Sequence, residues 1–432
     1  MSTLAFKLSF TAKLVSSIKP VYSSLALSLL LTAVSTSTMA HQKVSMFENN
    51  SLKVLAAATY RNNSIVENDA VWQPDGFLVG GEALPAEKGV SLDDVQLQGY
   101  LNIDNDYYVA AKLSSHSHGG ENNLELENLW MGTEFTLFNQ MFLLEGGKMA
   151  TAVTDTLNYH ASMDIFDQAP LSADVFFGRH FNDIGIRLAL VEGANTTPQK
   201  TQQMPVDQID TSYKVGLEIF NGDNFPASAG EGSVSAFSHF DLSYQAFHTS
   251  AKLWVMYSKA EQRADDRYSD SHNHGITVDD IVESYFTGDT ITTGLYLDAS
   301  WHTENWLLKG EFEWMQTQID GQVFSSTQSA FMDATDNAYR LATSLKRKQH
   351  SLHVQYEILS AENKFSQTTQ TFIDQVGLNN DGFEPSRLSV AWLYAFHDNF
   401  VLRTQWMKDE SNEQSQINDV LSVGVQWQYD IL

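Results

Sequence analysis

Two pairs of histidines are the side chains of this chain best suited to holding a metal ion: His116 and His118 in "SHSHGGEN", and His272 and His274 in "SDSHNHGITVDD". Neutral imidazole is the commonest transition-metal ligand, and nearby carboxylates (Glu121, Asp270, Asp279, Asp280) supply charge for a divalent ion such as Zn2+. Glycine follows each pair and permits a bend that would bring both rings to one ion. No third ligand is fixed by spacing, so the plain alternative is a polar loop with incidental histidines. A second group, Asp155, His160, Asp164 and Asp167 followed by Arg179 and Arg187, has the makings of the acidic and basic sides of a pore constriction. Its plain alternative is that Arg179 or Arg187 pairs with Asp183 or a wall carboxylate and meets no solute. Covalent chemistry has no such support. No GxSxG elbow, HExxH helix or GxxxxGK[ST] loop occurs, so no catalytic residue and no organic cofactor is assigned.

Charge and composition narrow the partners. The chain of 432 residues carries 26 basic and 53 acidic side chains, a formal charge of −27. That balance repels nucleic acid and attracts cations. There is no cysteine, which excludes disulfides, thiolate metal sites and thiol nucleophiles. Residues 1–40 hold Lys7, Lys13 and Lys19, an apolar run over 25–34 and a small residue, Ala40, before His41. This is the layout of a secretory signal peptide, and the run is about half the length of a membrane-spanning anchor. Its removal takes the formal charge from −27 to −30.

The elements that must position these residues are strands. In "LSVGVQWQYDIL" (421–432), Leu421, Val423, Val425, Trp427 and Tyr429 share one face and Ser422, Gly424, Gln426 and Gln428 the other. The same alternation recurs about sixteen times, in hairpins with tight turns near 104–106, 302–305, 346–350 and 397–399. Longer polar connections follow, near 259–289, 317–337, 360–386 and 409–419. An even number of antiparallel strands with tight turns at one end and long loops at the other is the plan of a bacterial outer-membrane β-barrel, here over 41–432. The apolar faces then meet lipid, with aromatic residues toward the strand ends. The opposite faces, with Lys214, Glu218, Lys309, Glu311, Glu313, Arg340, Gln355 and Glu357, line a lumen wide enough to hold water.

One connection, 149–180, is too apolar for a solvated loop: it carries Leu157, Met163, Ile165, Phe166, Leu171, Val175, Phe176 and Phe177. It is expected to fold inward onto the barrel wall and narrow the channel; an external cap or a contact within a trimer is the alternative. At this loop the chain resembles a family of proteobacterial outer-membrane proteins. The resemblance lies in "GFLVGGEALPAEKGVSL" (76–92), "NIDNDYYVAAKL" (102–113), "LNYHASMDIFDQAPLSADVFFGRHFNDIGIRL" (157–188) and "GLEIFNGDNFPA" (216–227). Members are described as porin-like, beside the phosphate-selective porins, or as zinc-regulated TonB-dependent-receptor-like proteins. The chain is too short for a receptor's plug plus a larger barrel, and too acidic for the basic pore of a phosphate channel.

Together these observations lead to an expectation of a passive, cation-preferring outer-membrane channel in contact with lipid, small ions or solutes and, by analogy of size, copies of itself in a homotrimer. The alternatives are a binding or uptake barrel for a divalent metal, and a barrel enzyme with its triad on the outer wall.

Overall fold

The computed structural model describes residues 50–65, 72–103, 106–118, 121–192, 209–265, 284–412 and 419–432. The expected signal segment, 1–40, and the pair His272 and His274 lie outside them. Sixteen antiparallel strands close into a barrel in sequence order, β1 pairing with β16. They are β1 (Ser51–Arg61), β2 (Gly89–Ile103), β3 (Tyr107–His118), β4 (Glu121–Leu137), β5 (Gln140–Ala150), β6 (Asn182–Glu192), β7 (Ile209–Phe220) and β8 (Ser233–Tyr244), then β9 (Phe247–Ala264), β10 (Tyr285–His302), β11 (Leu307–Phe324), β12 (Ser329–Arg347), β13 (His350–Ser366), β14 (Ser386–His397), β15 (Phe400–Glu410) and β16 (Asp419–Asp430). Closure leaves no strand edge unpaired, which is the condition for placing a sheet in hydrocarbon.

Alternation sorts the side chains as a membrane barrel requires. On β16, Leu421, Val423 and Val425 are exposed outward while Val420, Ser422 and Gln426 are buried inward. On β12, Tyr339, Leu341 and Leu345 face out, and Asp336, Ala338 and Arg340 face in. Aromatic rings form a near-continuous belt at the tight-turn end of β13–β16. His350, Trp392, Tyr394, Phe396, Phe400, Trp427 and Tyr429 lie 4.8–6.4 Å apart, centroid to centroid, along it. Such rings, apolar in body and polar at the edge, suit the bilayer interface.

The strands differ in length, and this corrects part of the loop pattern expected above. Strands β1, β5–β8 and β14–β16 have 11–12 residues, close to the 9–11 or so that a tilted strand needs to cross hydrocarbon. Strands β9–β13 have 17–19 and run past the bilayer. The stretch 317–337 is therefore not a long polar connection but two strand ends joined over 325–328. Its polarity misleads because the alternation changes sense beyond the lipid. Gln316, Gln318 and Asp320 face out, while Ile319, Val323, Ala330, Met332 and Ala334 are buried inward against Phe372, Ile373, Val376 and Leu378 of the β13–β14 connection. His116 and His118 are likewise in a strand and not a loop: their backbones pair with Asn123 and Glu121. At the tight-turn end, one connection, 193–208, is long; its residues lie outside those described.

The lipid face gives a direct prediction. Leu341→Arg, an outward position on β12 with 62% of the side chain exposed, should destabilise the barrel folded into lipid vesicles by about 2–4 kcal/mol in chemical denaturation. A cost near zero would mean that this face does not meet hydrocarbon.

Candidate functional site

The β5–β6 connection, 151–181, lies inside the barrel. It begins with Thr151, whose hydroxyl donates to Glu218 at 2.6 Å, and passes through a 3-10 turn (Asp155–Leu157) that Thr154 caps. It ends in a short helix, α1 (Leu171–Phe177), closed by Gly178 at φ +61°. Only glycine fits there, since a Cβ would lie 2.7 Å from Gly81 Cα and Gly80 O of the β1–β2 connection. Leu157, Leu171, Val175, Phe176 and Phe177 are buried with Trp72, Phe77 and Val79 of that connection, and with Phe237, Trp254 and Met315 of the wall. Met163, expected in the same apolar set, is 56% exposed.

A buried loop must find partners for its backbone polar groups. Here the wall provides them. Arg403 donates to the carbonyls of Ala161 and Phe166 at 3.1 and 3.2 Å, Gln426 to those of Ala161 and Asp164 at 2.8 and 2.6 Å, and Arg387 to that of Ala169 at 2.9 Å. The amides of Asp167 and Leu171 donate to Gln405 at 3.0 Å and Glu357 at 2.7 Å. These wall residues come from β13–β16, so one side of the lumen is filled.

The residues singled out as a constriction divide accordingly. Asp167 is buried in an ion pair with Arg61 at 3.0 Å. Burial pushes its carboxyl up, but Arg61 and Arg403 outweigh that and hold it below the usual range. Asp164 accepts from the amide of His160 at 2.6 Å, and enclosure raises its carboxyl. His160 Nε2 lies 2.6 Å from Lys112 Nζ and 3.3 Å from Glu127, and its ring stacks on His180 at 5.1 Å. Arg179, just past the helix, pairs with Asp174 of α1 at 2.9 Å and donates to Leu84 O. Asp183 pairs with neither arginine; it accepts the amides of Ile184, Gly222 and Asp223. Asp155 and Arg187 remain on open space.

That space is a cavity of about 330 Å3 between the start of the loop and the wall of β4–β9. Asp155 and Asn158 line it from the loop; Trp130, Arg187, Lys214, Phe237, His239 and Lys252 line it from the wall. Arg187 is fixed by Glu145 and Glu218, both at 2.7 Å. Lys252 reaches Asp155 at 2.5 Å, and this ammonium outweighs enclosure to hold the Asp155 carboxyl below its ordinary range. Strand register sets the wall charges in one row: Lys214, His239, Lys252, Tyr296, Glu313, Arg340, Glu357, Arg387 and Asp409 stand opposite one another in turn from β7 to β15. From Glu313 onward acid alternates with base. Over Lys214, His239 and Lys252, beside the cavity, no acid interrupts. Lys214 and Glu218 belong to the lumen face expected from sequence; Lys252 was missed, although a charged residue in the inward phase of "AKLWVMYSK" marks it. Among the described residues no three His, Asp or Glu side chains gather to hold a metal ion.

No family model and no curated protein matches the chain. Solved structures do. A loop-deletion mutant of OmpT, an outer membrane protein of Vibrio cholerae, is similar over 88% of this chain and 98% of its own, at 11% identity and a TM-score of 0.50. Pseudomonas putida OprB (9% identity, 88% and 94% covered, TM-score 0.49) and Salmonella typhi OmpF in complex with daunomycin (10%, 90% and 100%, 0.48) are similar as well. The fold is that of a porin-like outer-membrane barrel. At these identities the likeness is one of architecture, and the site has to be read from its own residues.

Two outcomes follow for the loop. Its ionised anchors, Asp155 and Asp167, have lowered pKa values, so the stability they contribute is present above about pH 3.8 and lost as pH falls through the lower folded values. Hydrogen exchange over 151–181 should therefore stay protected from pH 7 to 5 and open below about 3.8; protection unchanged at pH 2 would contradict the assignment. Arg387→Met leaves the buried carbonyl of Ala169 without its wall donor, at about 1–3 kcal/mol, and Asp409 without its ion pair, and should expose the same segment to protease at neutral pH while the barrel still resists unfolding.

Proposed function

We propose that the chain is a passive channel for small solutes in the outer membrane of a Gram-negative cell, carrying out no covalent chemistry. The observation that carries this reading is the cavity beside the inward loop. A sixteen-strand wall encloses more space than its own side chains fill, the loop occupies one side of it, and a charged gap of about 330 Å3 is left along β4–β9. A solute crossing at this level passes Asp155, Lys214 and Lys252.

The same proposal includes a preference for cations in the vestibules. It is supported by the acidic surplus of the chain and by lumen carboxylates toward the tight-turn end that meet hydroxyls or histidine in place of lysine or arginine. Asp241 accepts from Ser212 at 3.1 Å and faces His239 at the same distance, and Asp298 accepts from Ser250 at 3.2 Å. Fixed negative charge raises the local concentration of cations in a confined aqueous space.

Planar-bilayer recording of the purified barrel under a KCl gradient tests both parts. Stepwise channel currents with a reversal potential of cation-selective sign are expected. A reversal potential of the opposite sign overturns the preference, and a barrel that inserts but passes no current overturns the channel.

A further inference from the structure

We propose that the cavity is a docking site for the carboxylate of a small organic anion with an apolar body, and that Lys214 is the residue that receives it. The proposal rests on the channel reading and adds a solute class to it. Lys214 is the cation of the row without a protein counter-ion. Arg187 is taken by Glu145 and Glu218, and Lys252 by Asp155, whereas Lys214 Nζ makes no hydrogen bond or ion pair among the described residues. Its ammonium lies over the Phe237 ring, 5.8 Å from Nζ to centroid. The residue opposite it on β8, His239, turns to Asp241 at 3.1 Å.

The strand register supplies the second, independent observation. From β11 to β15 each cation of the row is flanked by carboxylates, so that sector is self-neutralised and sealed under the loop. Over β7–β9 the carboxylate is missing, and there the wall opens onto the cavity. A solute carboxylate at Lys214 completes the alternation. The half-buried Trp130 ring on the same wall, with the edge of Phe237 beside it, gives an apolar body a surface out of water, which an inorganic anion cannot use. The surrounding negative field disfavours small bare anions, so apolar contact and the local ammonium must act together. Asp155, on the far side of the cavity, competes for Lys252 and limits the positive charge offered.

The probe is benzoate, with benzylamine as its cationic match and inorganic phosphate as an anion without an apolar body. In planar-bilayer recordings in KCl, benzoate should reduce the open-channel current of the wild type at lower concentrations than either control. K214Q should require about tenfold more benzoate for the same reduction, K214R should stay close to wild type, and D155N should need less. Equilibrium dialysis of labelled benzoate against the detergent-folded barrel gives the same ranking without relying on conduction. Equal benzoate sensitivity in wild type and K214Q, or stronger block by benzylamine, overturns the docking site while leaving the channel in place. Lys214-dependent binding in dialysis without any current would instead remove the channel and keep the site.

Discussion

The structure depends on one constraint: a barrel of sixteen strands is too wide for its own inward side chains to fill, so a loop enters it, and that loop's backbone must be hydrogen-bonded where water is scarce. The wall meets this need with arginine and amide side chains aimed at carbonyls, and with carboxylates and amides aimed at N–H groups. Arg403, Arg387, Gln426, Gln405 and Glu357 act in this way, all from β13–β16. Removing Arg387, Gln405 or Glu357 leaves a buried polar group of the loop whose desolvation is not compensated, while Arg403 and Gln426 share the carbonyls of Ala161 and Asp164; together they make the loop a fixed part of the lumen.

The anchors run from Glu313 on β11 through β13–β16 to Arg61 on β1 and Asp94 on β2, with Glu218 on β7 holding the loop's start, so the loop is eccentric and the open space lies along β4–β9. The charge pattern follows. Where wall and loop touch, cations and carboxylates neutralise one another in alternating strands; where they part, Lys214, His239 and Lys252 are left without an intervening acid. At the level of the loop the open charges therefore lie in a sector that spans six strands, and one loop carboxylate, Asp155, faces it.

Much of this was legible in the sequence because period-two alternation is a strong signal when one face meets hydrocarbon. The strands from Leu421 to Tyr429 and from Leu388 to Phe396 could be sorted into faces by inspection, and the apolar content of Leu157 to Phe177 marked a loop with something to pack against. The stretches that resembled a known family, 76–92 and 157–188, turn out to touch, through Gly81 against Gly178 and Arg179 against Leu84. What failed had physical causes. Beyond the bilayer, water replaces lipid outside and the β13–β14 connection replaces water inside, so Gln318 and Ile319 exchange the roles that polar and apolar residues have lower on the wall; hence 317–337 looked like a loop. The division of Asp155 and Arg187 from Asp164, Asp167 and Arg179 was hidden, because it depends on which wall strand each residue meets across the lumen.

The most direct test of the eccentric path uses the absence of cysteine from the chain. Single cysteines at Lys214 and His239, and in parallel at Gln405 and Ser389, can each be treated with a charged, water-soluble thiol reagent while the current through one inserted barrel is recorded. The account predicts a stepwise fall in current for the first two and none for the second two, which face the sealed side. A fall at Gln405 and Ser389 with no change at Lys214 and His239 would contradict it.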